Sequence, residues 1–108
     1  MYDEKLAERV RKTLAGRKGI MEKKMFGGVA FMLGGRMCCG VHKNELILRL
    51  DPERAEKALK SPGVRVFDIT GRPSKGFVLV GPVGYRTDAA LTKWVKQAAD
   101  FAASLPAK

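Results

Sequence analysis

The residues best equipped for chemistry lie close together: Cys38, Cys39 and His42, the last being the only histidine of the chain. A zinc site needs three or four ligands, and the usual two-cysteine spacings are missing, so no metal-binding residue is expected. A Cys-His nucleophile needs the two side chains within hydrogen-bond reach. On a single strand Cys38 and His42 share a face but stand four residues apart, too far for that contact. Neighbouring strand residues point to opposite faces, so the two thiols are expected to diverge, reduced, each packed as a small side chain. His42 reads as an exposed strand-end residue beside Glu45. The segment from Gly71 to Gly76 has two glycines at the spacing of a phosphate loop, but Phe77 stands where the lysine belongs and a strand follows where a helix should begin. It reads as a surface loop offering the cations Arg72 and Lys75 to an anion. With no paired carboxylates in a cleft and no nucleophile-base pair, the expectation is no enzyme, no catalytic residue and no cofactor.

Charge says more. Lys and Arg number 21 against 11 Asp and Glu, a formal +10. Such an excess attracts polyanions and acidic partners at long range without bearing on fold. The basic residues Arg9, Arg11, Lys12, Arg17, Lys18, Lys23 and Lys24 concentrate it near the N-terminus, where contact with several phosphates would make nucleic-acid affinity fall steeply with salt. Charge from Asp3 onward argues against a signal peptide, and no apolar run reaches membrane length. A cytoplasmic protein is expected.

These residues must be positioned by a single domain of 108 residues, long enough for one core. Asp3 can cap a helix from Glu4 to about Ala15, with Leu6, Val10 and Leu14 as its apolar stripe. Ile20 to Phe26 reads as a charged edge strand. Gly34-Gly35 is the signal for a two-residue hairpin turn, and Lys43-Asn44 makes a second reversal. That register pairs Met32 with Met37, Phe31 with Cys38, Ala30 with Cys39, Val41 with Leu46 and Cys39 with Leu48. Ala30, Met32, Met37, Cys39, Val41, Leu46, Leu48 and Leu50 then share a core face. Val29, Phe31 and Ile47 form an apolar patch on the other, mixed face, together with Arg36 and Arg49. Asp51-Pro52 starts a short helix with Ala55, Ala58 and Leu59 inward. Val64 to Ile69 and Phe77 to Val80 read as further strands, the latter covered on both sides. Thr87 or Asp88 caps a last helix to about Ser104, with Leu91, Trp94, Val95, Ala98, Phe101, Ala102 and Leu105 at helical spacing. The fold class is α+β: an antiparallel meander of about five strands, N- and C-terminal helices, and one short middle helix.

The run Glu22-Lys23-Lys24-Met25-Phe26-Gly27-Gly28-Val29-Ala30-Phe31-Met32, then Cys39-Gly40-Val41, and Gly71-Arg72-Pro73-Ser74-Lys75-Gly76 resemble the N-terminal domain of the TfoX/Sxy competence regulators. The resemblance runs from Tyr2 to Leu105, as one domain over residues 1–108, and is to stand-alone versions of that domain. It implies a small α+β domain and a cytoplasmic regulator of transcription of DNA-uptake genes, with no catalytic residue to carry over. The expected function is therefore a regulatory module acting by protein contact, with the transcription machinery or a second copy of itself as partner. Val29, Phe31, Ile47, Arg36, Arg49, Arg72 and Lys75 are its expected contact residues. Direct, non-specific nucleic-acid binding through the N-terminal basic residues is the alternative.

Overall fold

A computed structural model describes residues 2–25, 27–68 and 76–105. In chain order the elements are α1 (Glu4–Leu14), β1 (Ile20–Met25), β2 (Gly28–Leu33), β3 (Arg36–His42), β4 (Glu45–Arg49), α2 (Pro52–Ala58), β5 (Val64–Val66), β6 (Phe77–Val80) and α3 (Asp88–Ser104). The helix starts follow from side-chain caps that satisfy otherwise orphaned N–H groups. Asp3 accepts from the Lys5 and Leu6 amides, Asp51 from the Arg54 amide with Pro52 in the first turn, and Thr87 from the Ala90 amide.

The strands form one six-stranded antiparallel sheet in the order β1-β2-β3-β4-β6-β5. The α+β class and the three helices stand as expected, and β6 slots between β4 and β5 rather than extending the meander. The Gly34-Gly35 turn pairs Leu33 with Arg36 and Met32 with Met37, and the Lys43-Asn44 turn pairs His42 with Glu45, both as the sequence predicts. Lys43 there takes a left-handed conformation at φ 54°, unusual for a side-chain-bearing residue.

Between these turns the expected register fails. A β-bulge interrupts the ladder between Phe31 and Met32, so Phe31 faces Cys39, Ala30 faces Gly40 and Val29 faces Val41. One extra residue on β3 turns β2 over relative to the reading from sequence. Val29 and Phe31, expected on the mixed face, lie in the main core with Val41, Leu46, Leu48, Val78 and Val80, beneath α1 and α3. Ala30, Met32 and Met37, expected on the core face, belong to the opposite side. The bulge also spoils the divergence of the two thiols, for Cys38 and Cys39 both enter the main core.

The main core joins Leu6, Val10 and Leu14 of α1 to Leu91, Val95, Ala98 and Ala102 of α3 across that sheet face. Each fully buried leucine or valine among them stabilises the fold by about 1.5–3 kcal/mol. A smaller cluster sits on the other face: Ile47, Phe67 and Leu79, with Met37 and Phe77 packed against it. The Phe67 and Phe77 ring centres are 5.4 Å apart. Leu59, expected to face inward, is 38% exposed because the helix ends at Ala58 and its inner face is carried by Ala55 and Ala58 alone. Tyr85 fastens the start of α3 to the β3–β4 turn through its hydroxyl, which donates to the Asn44 carbonyl at 2.6 Å. The Asp3 amide donates to the Lys43 carbonyl of that turn at 2.7 Å.

Candidate functional site

The patch expected from Val29, Phe31 and Ile47 does not exist as a surface. Val29 and Phe31 are core residues under the helices, and Ile47 is 1% exposed on the opposite face, under Phe67. Arg49 is no free cation either: its guanidinium carbon lies 5.8 Å from the Phe77 ring centre and 5.9 Å from that of Phe101. Arg36 is half-buried at the hairpin turn opposite Leu33. Arg72 and Lys75 lie outside the described residues, as do Phe26 at the end of the first strand and Ile69 beyond β5.

The face away from α1 and α3 carries a different surface. β1 pairs Met21 with Met32, and β2 pairs Met32 with Met37, so three methionines stand abreast across three strands. Met32 and Met37 are half-buried, and Met21 is 70% exposed, the largest exposure of any big apolar side chain described. Small residues make this row possible. A Cβ at Gly40 would stand 3.2 Å from the Met37 terminal methyl, so the bare backbone there is the seat of that side chain. Unbranched thioether chains repack readily against differing shapes, which suits a binding surface. The two hairpin turns register only β2, β3 and β4, so sequence alone does not reach Met21; extending the ladder to β1 sets it beside Met32.

The N-terminal basic residues divide into two kinds. Arg9 donates to Asp88 and to the Tyr85 carbonyl, both at 3.1 Å; Arg11 is held by Glu8 and, through two bonds, by Glu22; Arg17 reaches Asp100 at 2.7 Å. These arginines stitch α1 and the turn after it to β1 and α3. The hydrogen bonds and charge of Arg11 pull the Glu22 carboxyl below its ordinary range. Lys12, Lys18, Lys23 and Lys24 are exposed, and none has an ion-pair partner among the described residues.

The chemistry-bearing trio is separated from solvent or from its partners. The Cys38 and Cys39 sulfurs lie 3.9 Å apart with both residues fully buried. Contact with the neighbouring thiol lowers the pKa of Cys38, and that same contact with burial pushes Cys39 well above the ordinary thiol range. His42 is half-buried with no hydrogen-bond partner for Nδ1 among the described residues. Its expected companion Glu45 is instead gripped by Arg65 through two bonds at 2.7 and 2.8 Å. Among the described residues no group of three or more His, Cys, Asp or Glu side chains is arranged to hold a metal ion, and no helix is long and apolar enough to cross a membrane.

Fold and surfaces together define a small α+β domain with its helices on one side of an antiparallel sheet and a thioether row on the other. The chain belongs to the TfoX N-terminal domain family, whose model matches residues 12–102. Comparison with curated proteins and with solved structures gave no match.

Proposed function

We propose that this chain is a regulatory interaction domain of the competence-regulator type, working by docking a protein partner on the helix-free face of its sheet. Membership in the TfoX N-terminal domain family supports the regulatory role. The observation that carries the docking surface is the row Met21, Met32 and Met37, apolar side chains held side by side and left partly in water. Affinity capture from the native cell tests it with three baits: the wild-type chain, Met21→Glu/Met32→Lys, and a variant altered on the helix side such as Lys5→Glu. A partner kept by the wild type and by the helix-side variant but lost by the methionine variant is the expected result. A partner kept equally by all three, or no specific partner at all, would overturn the reading.

A second reading, polyanion contact through the N-terminal basic residues, is favoured by the four exposed lysines Lys12, Lys18, Lys23 and Lys24. It loses Arg9, Arg11 and Arg17, whose charges are engaged in ion pairs with Asp88, Glu8, Glu22 and Asp100.

A further inference from the structure

A concavity with a volume of about 730 Å³ lies between α2 and α3, on the side of the sheet opposite the methionine row. Its walls are two short runs of cations. Arg54 and Lys57 stand three residues apart on α2, and Lys93 and Lys96 three apart on α3, a spacing that puts each pair on one helix face. Between them lie Ala58, Ala90 and the half-buried ring of Trp94. The Trp94 indole N–H is spent on the Gly84 carbonyl at 3.0 Å, so the ring is anchored and offers the groove carbon surface rather than a donor. The groove's one acid, Asp100, is neutralised by Arg17 at 2.7 Å. Lys57, Lys93 and Lys96 are exposed and have no ion-pair partner among the described residues.

We infer that this groove is a binding site for single-stranded nucleic acid, with phosphates between the two cationic walls and a base against Trp94. Charge complementarity selects a polyanion: Lys57 on one helix and Lys93 and Lys96 on the other flank the groove without ion-pair partners among the described residues, while Arg54 reaches Asp51 at 3.5 Å and the lining acid Asp100 is held by Arg17. The aromatic floor selects nucleic acid over an acidic peptide, because every base has a π-face to lay on an anchored indole and glutamate has none. A base must be free of its own stack and partner to lie on the ring, which favours a single strand over a duplex. The groove's lining includes none of the three methionines and none of the four N-terminal lysines, so the inference does not depend on either surface.

Trp94 is the chain's only tryptophan, so its fluorescence reports this groove alone. The test titrates the full chain at low salt with a short oligothymidylate, following Trp94 emission and strand anisotropy together. Saturable quenching is expected, with a log affinity against log salt slope of about −2 to −3 for three or four phosphates on a single strand. Lys57→Glu/Lys93→Glu reverses two exposed charges without touching the core and is expected to weaken binding about tenfold or more. Lys5→Glu/Arg86→Glu makes the same change in net charge at exposed positions outside both the groove and the N-terminal lysine surface, and is expected to weaken it by less than about threefold. Equal losses from both double variants would assign the binding to net charge and overturn the site. So would a strand that binds without quenching Trp94, a duplex that quenches as well as the single strand, or a poly-glutamate chain that displaces the strand at matched charge.

Discussion

The two faces of the sheet are built from similar residue types and do opposite things. On the helix side Phe31, Val41, Leu46 and Leu48 are sealed by α1 and α3. On the other side Ile47 and Leu79 are sealed locally by Phe67, while Met21, Met32 and Met37 are left half in water. Apolar character therefore does not say which face is core. Helices decide it, and they decide it through the bulge that aims Val29 and Phe31 toward them.

The largest test of that contrast is a pair of adjacent truncations. Phe31→Ala should cost about 3–5 kcal/mol as a cavity in the main core, and Met32→Ala, one residue on, should cost about 1 kcal/mol or less. Urea unfolding of both variants reads the difference, and equal losses would mean the second face is as closed as the first. Gly28→Ala should come next, at about 2–3 kcal/mol, because a Cβ there collides with the Val41 carbonyl of β3. Its thermal midpoint should drop well beyond that of Met32→Ala.

Ile47→Val tests whether the smaller cluster behaves as a true core. A loss of about 1 kcal/mol in the same urea experiment is expected for a packed methyl, and no loss would dissolve the distinction between sealed and open zones of that face. The smallest effect falls on the seam between α1 and β1. Arg11 depresses the Glu22 pKa in the folded state, so the pair contributes above the unfolded carboxylate range and the contribution fades as pH falls through the folded value. With both side chains more than a third exposed, Glu22→Gln should cost about 0.5 kcal/mol at neutral pH. Unfolding curves of the variant and the wild type should converge in acid.

Much of the frame was legible because single residues force it. Gly34 and Gly35 adopt the positive φ a two-residue turn requires, and Asp3, Asp51 and Thr87 cap as their side chains allow. What sequence could not show was the orientation of β2. From Val29 to Leu33 every residue is apolar, so neither register is penalised by a misplaced charge, and the choice passes to a bulge that adjacent cysteines do not announce. The position of β6 was hidden for a related reason, since Val78, Leu79 and Val80 are buried on both faces and carry no alternation to say who their neighbours are. The groove between α2 and α3 was invisible because its cations come from segments some forty residues apart, each looking like ordinary solvated helix surface.

That interior place of β6 sets the order in which the chain assembles. β1 to β4 can zip through short turns, each closing a small loop. β6 can join β4 only after the whole stretch from Leu50 to Gly76 has been gathered in, a long closure whose entropic cost falls before its contacts form. Refolding should therefore show protection of the β2–β3 amides ahead of those of β6, with the last strand's insertion as the slow step.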